Sequence, residues 1–359
     1  MKHQRSFRRL LLGTLAAAVL AAPIASTSGC SPGNIPSNKI KGLRILAVTA
    51  DKPYAQPGDE VRFKMVLQDG LDPEEERPVQ ILWLGGCFNP PGELYYGCFP
   101  QLAKVFQDLA QGGGPPPPGL ISLGVGLDEF ATTLPEEIIT SRPPPEGGGP
   151  WYGIGYVFFA ACAGEIRPVE LDPGGNAGFF PFACFDEQGN RLPADSFVPG
   201  YTQVYAFDDE RTNANPVVNG VLLDGEPISE DIAEIPTVKA CPSTEDERRA
   251  VGCFAGDAYE GCEVHTIDVD VPKDVAEVDP GEMVNGKQIF EAIWVNFLTD
   301  GGDYTEGALS LISGVTEGYK DDHEVKWVAP NEPGLYTIWA VVRDSRGGAT
   351  PVRRFVRVE

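Results

Sequence analysis

The stretch Val325–Glu359, with the sequence VKWVAPNEPGLYTIWAVVRDSRGGATPVRRFVRVE, decides the fold. Within it, aromatic and branched side chains alternate over Leu335–Arg343, which is the period of a β-strand. Asp344–Gly348 then supplies turn-forming residues, and Val352–Val358 alternates again. The order strand, turn, strand predicts a β-hairpin that closes a domain.

Tyr336 lies at the start of this hairpin, just after Pro333 and Gly334. The arrangement resembles the start of strand F in immunoglobulin-like folds. That resemblance implies that the tyrosine hydroxyl bonds to the upstream backbone. The alternative is that Tyr336 is there only because tyrosine favours strands.

A weaker copy of the same order lies upstream. Phe179–Phe185, the turn Asp186–Asn190 and Phe197–Phe207 again give a strand, an acidic glycine-containing turn and a strand. Each copy ends a similar block, which predicts two domains of one class.

Strand patterns before the hairpins support the same class. Leu43–Ala50, Val61–Leu67 and Val79–Leu84 resemble strands A, B and C of bacterial immunoglobulin-like and PKD-like modules, and Trp83 would be the core aromatic of strand C. Trp294 takes the corresponding place in an apolar segment of the second half.

We therefore expect an all-β chain of two immunoglobulin-like β-sandwich domains, at residues 42–209 and 213–359. The first would carry a Pro/Gly-rich insertion at residues 85–150, and the second an acidic, cysteine-containing insertion at residues 226–262. The first insertion either covers the surface or recognises a partner.

Residues 1–29 have the basic, apolar and small-residue regions of a secretory signal peptide. Cys30 follows Thr27-Ser28-Gly29, which resembles the lipobox of bacterial lipoproteins. The resemblance implies that Cys30 is lipidated. Ser31–Lys41 is polar and contains proline and glycine, which predicts that residues 30–41 are a tether. An ordinary cleaved signal with an unmodified Cys30 is the alternative.

The expected location is the cell envelope. The chain is similar to lipoproteins of Gram-negative bacteria whose functions are unassigned. Ser31 follows the cysteine in this chain, and it resembles the residue that directs lipoproteins of this family to the outer membrane. The lipid would make the membrane a partner. The formal net charge of −24 repels phosphate backbones, which argues against nucleic-acid binding.

The chain has 8 cysteines, and an exported protein is expected to pair them. The predicted bridges of the first domain are Cys87–Cys98 and Cys162–Cys184. In the second domain one local pair is expected, and both Cys241–Cys253 and Cys253–Cys262 are open.

Catalytic signatures are missing from the sequence, which has no HExxH, GxSxG, Walker loop or CxxC motif. His265 and His323 are the histidines beyond the leader, and His323, between acidic residues, is expected to be exposed. A zinc site built from the three second-domain cysteines and His265 is the sharper alternative to a disulfide.

Calcium is the small ligand that the acidic turns favour, and no other cofactor is expected. One candidate site resembles the Asp/Asn/Pro linker of cadherins at the domain junction, and the other is an acidic glycine-rich turn. The first comprises Asp208, Asp209, Glu210, Asn213 and Asn215; the second comprises Asp300, Asp303 and Glu306.

These features favour a non-enzymatic binding or adhesion module whose partner is an envelope protein or polymer. A purely structural envelope lipoprotein is the first alternative. A metal-dependent enzyme built on the insertions is the second.

The lipid anchor and the bridges are tested together by intact-mass spectrometry of the protein isolated from its own membranes. We expect the mass of an acylated chain that begins at Cys30, and a gain of six protons on reduction. An unlipidated mass would contradict the lipoprotein prediction.

Overall fold

The computed structural model describes residues 36–71, 77–102, 116–146, 148–169, 180–209, 211–251 and 256–359. The predicted signal peptide and Cys30 lie outside the described residues, as do Glu210 and Cys253. Within the described ranges, no helix is both long enough and apolar enough to span a bilayer.

In the described residues of the N-terminal half, eight strands form the N-terminal sandwich and two more form a hairpin. They are β1 Leu43–Ala50, β2 Tyr54–Ala55, β3 Glu60–Asp69, β4 Gln80–Phe88, β5 Ile121–Val125, β6 Glu129–Thr133, β7 Tyr152–Cys162, β8 Glu165–Pro168, β9 Phe182–Phe185 and β10 Phe197–Phe207. One sheet has the order β1-β3-β6 and the other β2-β10-β7-β4-β5, while β8 and β9 form a separate hairpin.

Thirteen strands and one described α-helix follow. The strands are β11 Gly220–Leu223, β12 Glu226–Pro227, β13 Thr237–Val238, β14 Val264–Asp270, β15 Val278–Val284, β16 Lys287–Phe290, β17 Ile293–Thr299, β18 Asp303–Tyr304, β19 Leu309–Gly314, β20 Gly318–Tyr319, β21 Val325–Val328, β22 Gly334–Asp344 and β23 Ala349–Val358. The helix, α1, is Glu245–Val251. The sheets of this C-terminal sandwich are β12-β11-β14-β21-β18 and β13-β23-β22-β17-β19-β20, with β15 and β16 as a separate pair.

Both sandwiches have the topology of the immunoglobulin fold. In each, the last long strand (β10 or β23) pairs antiparallel with the long strand before it (β7 or β22). It also pairs parallel with a short early strand (β2 or β13), as strand G does with F and A′. The opposing sheets hold the A, B and E equivalents. The predicted all-β, immunoglobulin-like fold is confirmed.

Separate apolar clusters fill the two sandwiches. In the first, Trp83 is fully buried and stacks on Phe130 with ring centroids 5.6 Å apart, as predicted for strand C. In the second, the prediction for Trp294 was wrong. Ile293, Val295 and Phe297 point into the core, so the alternation of β17 places Trp294 on the outer face, and the core tryptophan is Trp327 of β21.

The closing hairpin is confirmed as β22 and β23, which are paired from Gly334–Val358 to Arg343–Ala349. The Tyr336 hydroxyl donates to the backbone oxygen of Glu332 at 3.0 Å. This is the tyrosine corner that the resemblance implied.

The predicted earlier copy of the hairpin was wrong. Strand β10 pairs with β7, which is eleven residues long and carries glycines that let the neighbouring layer approach closely. Phe182–Phe185 instead pairs with Glu165–Pro168 in the short β8-β9 hairpin. The apolar FACF segment belongs to a covering layer, which periodicity alone does not distinguish from a sheet strand.

The predicted insertions contain parts of the sandwiches. Strand β6 pairs with β3 and β5 pairs with β4, so residues 85–150 include two framework strands. Residues 226–262 include β13, which pairs with β23. The domain boundaries themselves stay predictions.

The two sandwiches meet at the outer face of β22. Trp339 and Val341 pack against Ile40, Leu46 and Ala47. Part of the predicted tether is buried at this contact. The Ile40 backbone N–H donates to the Thr299 backbone oxygen at 2.8 Å, which holds the segment in place. We call residues 36–41 the strap.

Removal of the corner hydroxyl by Tyr336→Phe should lower the free energy of unfolding by about 1 kcal/mol, the net contribution of one hydrogen bond. Urea unfolding measures it. Tyr96→Phe, at a half-exposed surface tyrosine, is the control and should leave the midpoint unchanged. Equal midpoints for Tyr336→Phe and the parent would contradict the role of the corner.

Candidate functional site

A third layer covers the outer face of the five-stranded N-terminal sheet. The Cys87–Cys98 disulfide holds the segment after β4 against this face, and Cys162–Cys184 joins the end of β7 to β9. All four cysteines lie in one buried cluster with Phe158 and other apolar residues of the sheet. Both predicted bridges of the first half are confirmed, and together they fix the layer on the sheet.

At one side of this layer lies a group of tyrosines that we call the tyrosine site. It comprises Tyr95, Tyr96, Tyr152, Tyr156, Tyr201 and Tyr205. The rings of Tyr95 and Tyr201 are stacked with centroids 4.5 Å apart, and Tyr156 contacts Tyr201 at 5.7 Å. Tyr201 and Tyr96 remain 45% and 50% exposed, so the site offers aromatic surface to solvent.

Glu93 connects the tyrosines to the segment that precedes β7. Its carboxylate accepts a hydrogen bond from the Tyr152 hydroxyl at 2.8 Å and forms an ion pair with Arg142. Its backbone oxygen accepts from the Tyr156 hydroxyl at 2.8 Å. The Arg142 guanidinium also lies over the Tyr152 ring, 4.5 Å from its centroid.

The backbone around Glu93 has an unusual conformation. Glu93 and Asn89 have positive φ angles of 57° and 46°, a region that side chains disfavour. Asn89 is held there by its side chain, which accepts from the backbone of Ile154 at 2.9 Å and donates to Ser141 at 3.0 Å. Such conformations persist where the surroundings fix them, and they concentrate at functional sites.

Next to the tyrosines opens a cleft of about 410 Å³. It is lined by Asn89, Pro90, Gly92, Glu93, Ser141, Arg142 and Pro143. Glu93 is the one carboxylate among these lining residues, whereas glycoside hydrolysis commonly uses a pair. Amide, hydroxyl and paired charged groups beside exposed rings suit binding better than acid–base chemistry.

Burial shifts the tyrosine hydroxyls toward their neutral form. Burial raises the pKa of Tyr156 to about 12, and the neighbouring Tyr205 and Tyr201 add to the effect. Burial and then the hydrogen bond to Glu93 raise the pKa of Tyr152. The hydroxyls therefore remain donors across the physiological pH range.

Cys241 pairs with Cys262, a pairing that the sequence analysis did not choose. The bond removes two of the thiolates that the zinc alternative needed. His265 instead lies on β14 with Nδ1 2.8 Å from Asp224 Oδ2. Sequence spacing favoured the nearer partners, but the fold brings the two ends of the segment together.

His323 was predicted to be exposed, and this was wrong. It is 3% exposed, with Nδ1 2.6 Å from Asp268 Oδ1 and Nε2 3.1 Å from the Tyr319 hydroxyl. The neighbouring acids are exposed, but His323, just before β21, continues the inward-facing alternation of Val325 and Trp327.

The first predicted calcium group is spread along the linker between the sandwiches. Asp209 pairs with Arg211 at 2.9 Å, and Asp208 accepts from the Trp151 backbone. Asn213 donates to Asp344. The Asn215 side chain donates to the Ala50 backbone oxygen and accepts from the Ala349 backbone N–H, so it bridges the two sandwiches.

The second predicted group is also engaged with the protein. Asp303 is buried and pairs with Lys39 and Arg248, while Asp300 accepts from Thr337 and Gln68. Glu306 is exposed. Calcium binding at either group stays a prediction.

The tyrosine site was missed because its members come from distant parts of the chain. Tyr95 and Tyr96 lie in the predicted insertion, and Tyr201 and Tyr205 lie in a strand placed in the wrong hairpin. A usable signal was present in the alternation of Tyr201, Gln203 and Tyr205, which puts two tyrosines and a glutamine on one face of the strand.

No protein-family model matches the sequence, and no curated protein matches it. Solved structures similar to it include fibronectin(III)-like modules of Clostridium thermocellum CbhA, with 12% identity, 88% of this chain and 94% of that chain covered and a TM-score of 0.20. Escherichia coli alpha-2-macroglobulin matches at 12% identity over 90% of this chain and 17% of its own, with a TM-score of 0.22. The C-terminal domain of the Streptococcus pyogenes antigen I/II-family protein AspA matches at 8% identity over 89% of this chain and 100% of its own, with a TM-score of 0.19. At these TM-scores the likenesses carry no argument about this chain.

The raised tyrosine pKa values predict a loss of stability at alkaline pH. An unfolded tyrosine ionises near pH 10, whereas folded Tyr156 keeps its proton to about pH 12. Stability should therefore be complete below about pH 10 and should fall between these values, by about 1.4 kcal/mol for each unit of the shift. Urea unfolding at several pH values measures the fall, and Tyr156→Phe should reduce it. An equal fall in both proteins would contradict the assignment.

Proposed function

We propose that this chain is a lipid-anchored protein of the cell envelope that acts as a non-enzymatic binding module, with the tyrosine site as its binding surface. The observation that carries the proposal is the stacked Tyr95–Tyr201 pair, in which Tyr201 is 45% exposed and Tyr95 is partly buried, together with the cleft that Glu93 lines. Tyrosine offers a large contact area with two rotatable side-chain bonds, so little entropy is lost on binding.

The chemistry of the site favours a neutral polysaccharide as the partner. A pyranose ring presents a face of C–H groups to an aromatic ring and a rim of hydroxyls to polar side chains. The cleft provides such side chains in Asn89, Ser141 and the Glu93–Arg142 pair, whose charges cancel. The overall charge of −24 disfavours an anionic polymer.

The layer that carries the site is held in a fixed arrangement before any ligand binds. Two disulfides join it to the sheet, and Asn89 fixes the backbone beside Glu93. A preformed site loses less conformational entropy on binding, which favours affinity.

The envelope location rests on the sequence. The leader and the Cys30 motif support lipidation. A binding module close to a membrane surface would hold a polymer or a neighbouring cell there, whereas a purely structural protein would need no exposed aromatic site.

Binding is tested with full-length protein in detergent and a panel of insoluble neutral polysaccharides, with depletion from solution as the measurement. Tyr201→Ala should weaken binding about tenfold or more, because it removes one stacking ring. Leu309→Ala, at an exposed apolar residue of the other sandwich, is the control and should leave binding unchanged.

Three results would contradict the proposal in different ways. Equal binding of Tyr201→Ala and the parent would contradict the assignment of the tyrosine site as the binding surface. Capture of a protein and of no glycan would contradict the polysaccharide as the partner. Release of soluble sugars on incubation would contradict the non-enzymatic role.

A further inference from the structure

A small cavity lies under the strap, and none of its lining residues belongs to the tyrosine site. Its volume is about 40 Å³, room for a few waters or one small ion. The strap contributes Pro36 and Asn38, and helix α1 contributes Arg248 and Arg249. Strand β18 completes the wall with Asp303 and Tyr304.

Three buried donor atoms of the lining residues have no hydrogen-bond partner among the described residues. Arg248 Nη2 lies 2.7 Å from Asp303 in an ion pair, which leaves the hydroxyl of Tyr304 and Nε of Arg249 as the two without an acceptor. Tyr304 is only 4% exposed, so water outside the protein does not reach its hydroxyl freely. Buried donors without acceptors are costly, and the usual resolution is a bound acceptor.

The charges around the cavity do not balance. Arg248 pairs with Asp303 at 2.7 Å, Arg249 pairs with Glu245 at 3.0 Å, and Lys39 contacts both carboxylates. Lys41 also lies 3.8 Å from Glu245. Asp300 is a third carboxylate, whose charge acts on the Tyr304 hydroxyl, so four cations face three carboxylates. Lys39 and Arg248 have side chains only 1% exposed, so solvent screens this excess poorly.

Burial opposes the charge of Lys39. It lowers the pKa of the ammonium group, while Asp303 and Glu245 act in the opposite direction. One further negative charge in the cavity would support the ionised form of Lys39 and balance the cluster.

We propose that the cavity under the strap is a binding site for one small monovalent anion of the size of chloride, with Tyr304 and Arg249 as donors. The anion accepts from both orphaned donors and compensates the single excess positive charge. Because Pro36 and Asn38 form part of the wall, a bound anion also holds the strap against the C-terminal sandwich.

Thermal unfolding of the full-length protein in sodium chloride and in sodium gluconate, at equal ionic strength, tests the site. Gluconate is too large for the cavity. We expect a melting temperature that rises with chloride and saturates, as ligand binding to the folded state requires. Identical melting curves in the two salts would overturn the proposal.

Tyr304→Phe removes one donor without changing the shape of the core. Its apparent chloride affinity should be about tenfold weaker, and in gluconate it should be at least as stable as the parent, since an unpaired buried hydroxyl has been removed. Tyr319→Phe is the matched control, because it removes a hydroxyl of the same sandwich whose partner, His323, and charged neighbours, Asp268 and Lys273, do not line the cavity. It should lower stability equally in both salts.

Hydrogen exchange of the backbone amides of Lys39 and Ile40 gives a readout at the strap. Both amides are hydrogen-bonded, to Pro36 and Thr299 respectively. Chloride should slow their exchange in the parent and have a smaller effect in Tyr304→Phe. An equal chloride response in the two proteins would overturn the assignment of Tyr304.

Discussion

Strand β22 is buried on both faces, and the rest of the structure depends on this double burial. One face, with Ile338, Ala340 and Val342, completes the core of the C-terminal sandwich. The other, with Trp339 and Val341, forms the contact with the N-terminal sandwich. Each of the larger aliphatic side chains here, Ile338, Val341 and Val342, contributes about 1.5–3 kcal/mol when it leaves water. One strand therefore stabilises a sandwich and its junction together, and polar side chains at the junction add to this: Gln68 bonds to both Trp339 and Asp300.

The tyrosine site depends on a second constraint, which is the pair of disulfides in the N-terminal sandwich. The bridges span 11 and 22 residues, and each is expected to contribute roughly 3 kcal/mol. They allow a Pro/Gly-rich segment, which has little apolar surface of its own, to lie on a sheet in one conformation. The immunoglobulin framework thus supplies a rigid base, and the covering layer supplies the chemistry.

The sequence predicted the parts of this structure that depend on local pattern. Strand β1 was predicted to the residue, and the closing hairpin and the Tyr336 corner were placed correctly because alternation and turn residues are local signals. Pairing was harder. Phe182–Phe185 has the composition of a sheet strand, and only competition with the longer β7 excludes it from the sheet.

The candidate sites depend on long-range contacts, and the sequence predicted fewer of their features. Cys241 meets Cys262 because helix α1 folds the segment back, and His323 is buried because Asp268 and Tyr319 come from other positions of the sandwich. The tyrosine site combines residues from the insertion, β7 and β10. Neither spacing nor composition specifies which of these elements become neighbours.

The strap has a mechanical consequence. If Cys30 carries lipid, five residues lie between it and Pro36, so the folded body stays within about 20 Å of the anchor. A pull on a bound polymer would travel through the N-terminal sandwich to the strap and not along the whole chain. There it would meet two backbone hydrogen bonds with Thr299 and the ion pairs of Lys39. These contacts are weaker than either apolar core, so they would yield first under load. The strap would then detach from the C-terminal sandwich and lengthen the tether while both sandwiches stay folded.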